Sequence, residues 1–162
     1  MFDFKMTRIT WVFFLFWVSL GAGCTSPNHR LDPKKTLTDY IALSFAIREP
    51  SDKAKLIKFM TGEVKARLES WSDDQFREAF IESGRRFLKL SFKEVKKISE
   101  SEVQITYELV YLDKGGKGTR SHEAKVTNKK MSQLVLEQGH WMIANVRNIK
   151  ELVEFKDELA LP

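Results

Sequence analysis

What most constrains this chain is a change of hydrophobic period at Gly84. Before it, apolar residues recur at helical spacing; after it, they alternate at every second position. Leu37, Tyr40, Ile41, Ser44, Phe45 and Ile47 form one helical stripe, opened by Asp32-Pro33, a capping residue followed by proline in the first turn. Glu49-Pro50-Ser51 ends that helix, and Ser51 is placed to cap a second one running to Met60. Thr61-Gly62 begins another short helix that reaches Leu68. Ser72-Asp73-Asp74-Gln75 has capping-box spacing, Phe76, Ala79 and Phe80 share the face behind it, and Ser83-Gly84 is the stop.

Beyond Gly84, Leu88, Leu90 and Phe92 alternate with Lys89, Ser91 and Lys93. Val103, Ile105, Tyr107, Leu109 and Tyr111 alternate with polar partners, as do Ala124 and Val126; Leu134 and Leu136 continue that strand, and Trp141 and Ile143 start the last one. Such alternation belongs to antiparallel sheets with one buried and one wet face. The connections at Ser99–Glu102, Asp113–Thr119 and Gln138–Gly139 are short enough for a meander. Parity slips between Phe92 and Ile98 and again over Asn128–Met131, and each slip predicts a β-bulge that bends its strand. A curved sheet needs its hollow filled, and the helices are the elements available. The expected fold class is α+β, with N-terminal helices packed in the hollow of a curved four-stranded antiparallel sheet. Asn148 and Glu151 repeat capping-box spacing ahead of Leu152, Val153 and Phe155, which predicts an added C-terminal helix over 149–159.

The start of the chain has a different character. Lys5 and Arg8 give a weakly positive head, Ile9 to Leu20 is almost wholly apolar, and Gly21-Ala22-Gly23 precedes Cys24. These are the parts of a secretory signal, and the apolar run falls short of the ~20 residues a membrane-crossing helix needs. Ala22, Gly23 and Cys24 resemble the lipobox of bacterial lipoproteins, although Gly21 stands where that family usually has leucine. The resemblance implies a diacylated Cys24, and Cys24 is the only cysteine, so no internal disulfide can form. The expected organisation is a signal peptide over 1–23, a lipidated tether over 24–31, and a single α+β domain over 32–162. Removing the signal lowers the formal net charge from +5 to +4, because Lys5 and Arg8 leave together with Asp3. Basic and acidic residues are interspersed, which is no nucleic-acid footprint.

Helices followed by a curved meander that closes in Glu137-Gln138-Gly139-His140-Trp141-Met142-Ile143 resemble the nuclear transport factor 2-like superfamily. Thr61-Gly62-Glu63 and the closing Gly-x-Trp-x-Ile strand are similar to small bacterial envelope lipoproteins of that kind, over roughly residues 34–148. The resemblance implies a cystatin-like cone with the sheet wrapped round a long first helix. The superfamily hosts isomerases, dehydratases and epoxide hydrolases beside non-catalytic binding and assembly modules, so it does not fix a function.

Tyr40, Tyr107, Tyr111 and Trp141 are candidates to line a pocket, with polar tips that could orient a ligand. His122 joins them, being on the parity of Ala124 and Val126. No catalytic residue is assigned, since no Asp or Glu falls on the inward parity of the strands as read. Three scattered histidines and one cysteine make no metal constellation, and no cofactor is expected. Gly115-Gly116-Lys117-Gly118-Thr119 leads into a strand, so no helix N-terminus would face a phosphate there. Arg85-Arg86, Lys96-Lys97 and Lys129-Lys130 read as solvated faces, and His140 as a turn residue. The expected function is a membrane-anchored, non-enzymatic binding or assembly module of the cell envelope, its alternative a small hydrolase or isomerase with an apolar substrate pocket. The expected partners are the membrane, through the lipid, an envelope protein, peptide or lipid, and a second copy of the chain. The envelope face is the periplasm or exterior, with the outer membrane favoured because Thr25 lacks the aspartate of an inner-membrane retention signal.

Overall fold

The computed structural model describes residues 32–115 and 123–155. The expected signal peptide over 1–23, Cys24 and the expected tether lie outside the described residues, as does His122. Helix α1 spans Pro33–Ala46 and is capped as its sequence predicts, the Asp32 carboxylate accepting the Lys34 N–H at 2.9 Å. The next cap is not Ser51. Asp52 reaches back instead, its Oδ2 accepting the Arg48 N–H at 3.0 Å and the Glu49 N–H at 3.3 Å. A single 3₁₀ turn, Pro50–Asp52, therefore precedes α2 (Lys53–Ile57). Helix α3 covers Gly62–Glu69, and α4 covers Asp73–Phe76 behind a closed capping box between Ser72 and Gln75. The chain then widens into a π-helical turn, Arg77–Ile81, a rare geometry that is frequent at functional sites. At Gly84 φ is +61°, and a side chain there would crowd Lys114, so glycine is required where the helical half ends.

Four antiparallel strands follow in the order of the sequence: β1 (Arg86–Ser99), β2 (Glu102–Asp113), β3 (Ala124–Glu137) and β4 (His140–Phe155). β3 and β4 are joined through Gln138 and Gly139, both at positive φ as a tight two-residue hairpin turn demands. The parity slip after Phe92 is a bulge in β1, where Lys93 is left over between the Phe92–Tyr107 and Glu94–Thr106 pairs. The slip over Asn128–Met131 has another cause. β3 pairs with β2 without interruption, so Asn128, Lys130 and Ser132 stand on the same face as Val126 and Leu134. The bulges lie across from them in β4, at Ala144 and Ile149. The inward face of β3 is simply polar there.

The C-terminal helix over 149–159 is not formed. Residues up to Phe155 continue β4, with Glu151 opposite Asn128 and Val153 opposite Val126. β3 extends to Ala124, and its backbone groups need partners along that whole length. The capping residue is also diverted, because the Glu151 carboxylate accepts the Asn128 amide across the strands at 2.7 Å. Residues 156–159 lie outside the described ones.

Two packed clusters hold the layers together. In the first, Leu37 and Ile41 of α1 meet Val103, Ile105, Tyr107, Leu109, Leu134, Trp141 and Ile143 of the sheet. The second joins the helices through Ile47, Leu56, Met60, Val64, Leu68 and Phe76, with Tyr40 packed against both. Backbone bonds from the Ile143 N–H to the Phe59 carbonyl (2.8 Å) and from the Thr61 N–H to the Ile143 carbonyl (3.0 Å) tie the helical layer to the edge of β4. The molecule is α+β, with helices over one face of a bulged, curved, open sheet.

Candidate functional site

Lys130, from the inward polar row of β3, borders a cavity of about 230 Å³. α1 contributes Tyr40, Ile41, Ser44 and Phe45, the π turn contributes Ala79, Phe80 and Ile81, and the sheet contributes Tyr107, Leu109, Tyr111, Lys130 and Val146. All three tyrosines of the chain line this cavity. Burial pushes the Tyr40 hydroxyl up to about 12, helped by neighbouring Tyr107 and opposed by Arg67. Tyr107 is only 2 % exposed. Its oxygen accepts the Ser132 hydroxyl at 3.3 Å, which leaves the Tyr107 hydrogen available to another acceptor. Tyr111 is held at the other end by the Phe45 ring, 5.9 Å away, and by the Arg85 guanidinium 5.7 Å from its ring centre.

The charges on the lining are all of one sign. Arg48, Arg85 and Lys130 border the cavity, and an adjoining cleft that shares Tyr40, Phe80, Lys130 and Val146 adds Arg67. Among the described residues neither lining contains a carboxylate. Arg48 is occupied in part, donating to the Phe45 and Ile47 carbonyls at the end of α1 at 3.2 and 2.7 Å. Arg85 lies 3.9 Å from Asp113. Lys130 is half-buried between Tyr107 on β2 and Asn148 on β4, and no described side chain forms a hydrogen bond or ion pair with it. Its pKa lies below the ordinary lysine value, chiefly through burial and then through Arg85, with Glu151 acting the other way. Glu151 itself is engaged by the Asn128 amide. Asn128 is 2 % exposed, and its carbonyl oxygen has no partner among the described residues.

No protein-family model matches this chain, and no curated protein sequence does. Several solved structures resemble it, two of them as follows. The intermembrane space region of the chloroplast protein ARC6 superposes with a TM-score of 0.53 at 12 % identity, covering 74 % of this chain and 97 % of that one. A SEC-C motif-containing protein from Rhodopseudomonas palustris gives 0.50 at 16 % identity, covering 75 % of this chain and 81 % of the other. What they share is the fold.

Of the described residues expected in the lining, Trp141 is not brought into the cavity. Trp141 packs in the main core and lines a separate surface groove with Lys35, Asp39, Phe59, Glu137 and His140. His122 lies outside the described residues. The cations Arg48, Arg67, Arg85 and Lys130 were the residues that sequence reasoning missed. For Lys130 a signal existed: it sits four residues from both Val126 and Leu134, on the inward parity of β3. Reading Lys129-Lys130 as one solvated pair hid it. The expectation that no inward strand position carries a carboxylate is also corrected, because the continued β4 turns Glu151 to the face of Asn128.

Proposed function

We propose that this chain is a lipid-anchored protein of the bacterial envelope whose nuclear transport factor 2-like cone serves as a binding module. The anchor rests on Ala22-Gly23-Cys24 behind a short apolar run. The observation that carries the binding role is the cavity itself. It has an apolar wall of Ile41, Phe45, Phe80, Leu109 and Val146, and polar tips supplied by Tyr40, Ser44, Tyr107 and Tyr111. Concave sites that join apolar walls to converging polar groups are where proteins hold small ligands. Its ionisable lining consists of phenols and cations, a set suited to holding and orienting a ligand.

Two measurements test this reading. Replacing Cys24 by Ser should move the protein from the membrane pellet to the soluble envelope fraction or leave it uncleaved; unchanged processing and fractionation would remove the anchor. Ala79→Phe should fill the cavity from the π turn. Protein purified natively and extracted into organic solvent should release a small molecule that the Ala79→Phe protein lacks. Identical extracts from both would sink the binding role.

A further inference from the structure

We infer that the cavity takes a small amphiphilic anion, with Lys130 as the counter-charge for its head and the aromatic wall as the seat for its body. The inference rests on the binding-module reading and specifies the ligand class. Its first ground is the sign of the lining, which brings Arg48, Arg67, Arg85 and Lys130 to two adjoining spaces with no carboxylate among the described lining residues. An unpaired cation removed from water is unfavourable, and the ordinary remedy is a partner of opposite charge. Lys130 forms no ion pair with a described carboxylate: Glu151, on the same face of the sheet, acts on it only at a distance and is engaged by Asn128.

The second ground is the orientation of the neutral donors. Tyr107 accepts from Ser132 and so has its own hydrogen to give, and Tyr107 is directly opposite Lys130 in the sheet. Tyr40 lines both spaces beside Lys130. A carboxylate or phosphate oxygen placed between the ammonium and these hydroxyls would accept charge-assisted bonds, which are stronger than neutral ones. The third ground is size. An apolar cavity of about 150 Å³ holds benzene, so about 230 Å³ admits on the order of nine non-hydrogen atoms by proportion. That is an anionic head on an aromatic or short branched body.

The test titrates the full chain, held in nanodiscs of zwitterionic lipid, with benzoate, benzyl alcohol, benzylammonium and inorganic phosphate, followed by ligand-observed NMR. Benzoate should bind at least tenfold more tightly than the alcohol or the ammonium, and phosphate alone should compete weakly. Lys130→Met should abolish the preference for benzoate over the alcohol while Lys130→Arg restores most of it. The urea midpoint of Lys130→Met should equal or exceed the parent's, because a desolvated charge is exchanged for an apolar side chain of similar length. Equal binding of benzoate and benzyl alcohol by the parent protein would overturn the anion assignment and leave the binding module standing. Benzoate preference retained in a folded Lys130→Met protein would overturn the role of Lys130. Phosphate competing as well as benzoate would overturn the amphiphile. Failure of every probe to bind would remove both this inference and the small-ligand reading beneath it. Should Lys130→Met not fold, the parent's own ranking of the four probes still decides the charge question.

Discussion

Truncating Trp141 measures how the sheet holds its helical layer. The ring is 8 % exposed and packs in the cluster that joins Leu37 and Ile41 to the inner face of the sheet. Removing a buried tryptophan costs about 3–5 kcal/mol, the transfer of the ring plus the cavity it leaves. The position in that range follows from what surrounds the void. Trp141 also borders a surface groove with Phe59 and Glu137, so the space left by Trp141→Ala opens to water and is partly refilled. The expected loss is therefore near the lower end, about 3 kcal/mol. Phe76 supplies the contrast: it is 0 % exposed and stacked on Phe80 with ring centres 4.8 Å apart, so Phe76→Ala leaves a sealed void. Its loss should approach about 5 kcal/mol. Urea unfolding followed by circular dichroism reads both, and with a slope of about 1–3 kcal/mol per molar the Trp141→Ala midpoint should fall by roughly 1–3 M. No resolvable shift would place the ring outside the core. A larger shift for Trp141→Ala than for Phe76→Ala would refute the argument from the groove.

Two pH-dependent effects follow from the packing of single groups. The Asp52 carboxyl is held down at about 2 by the Lys55 ammonium, the Arg48 and Glu49 N–H groups adding to that pull. Its folded pKa is below its unfolded one, so its contribution is present above about pH 4 and is lost as pH falls toward about 2. Urea midpoints of the parent should drop over that window more steeply than those of Asp52→Asn, and parallel curves would show that the cap carries no linkage. Tyr40 has the opposite sign. Its hydroxyl stays protonated to about 12 in the folded chain but only to about 10 in the unfolded one, so stability should decline as pH rises between them. An alkaline titration of phenolate absorbance should lose its highest component in Tyr40→Phe; an unchanged profile would place that hydroxyl in solvent.

Much of the fold was legible because its determinants are local. The helical stripe of α1 follows from spacing, its start from Asp32-Pro33, and the switch to strands from the change of period at Gly84. The bulge after Phe92 is legible for the same reason, since one leftover residue inverts parity within its own strand. The failures share a different cause. Asn148 and Glu151 have the spacing of a helix cap, but the length of β3 decides that β4 continues, and Asn128 claims the Glu151 carboxylate from a neighbouring strand. Ser51 is not a cap because the helical turn already begins at Pro50 behind Glu49, and Asp52, its third residue, closes back on the Glu49 N–H.

The misreading of β3 has a physical meaning beyond error. Apolar alternation fails there because Asn128, Lys130 and Ser132 occupy inward positions of an unbroken strand, where a fold optimised for packing would carry aliphatic side chains. Each of these residues makes a demand on its surroundings. Ser132 meets it through Tyr107, Asn128 meets it in part through Glu151, and Lys130 does not meet it among the described residues. Local rules that fail without compensation inside the protein tend to fail at functional positions, because the missing partner comes from outside. Tyr107 and Lys130 are direct neighbours across the sheet, and both line the cavity beneath α1, so one ligand there would meet a hydroxyl and an ammonium together. A purely structural role for that row would leave the unpaired lysine unexplained, whereas a bound anion accounts for the lysine and the free tyrosine hydrogen together.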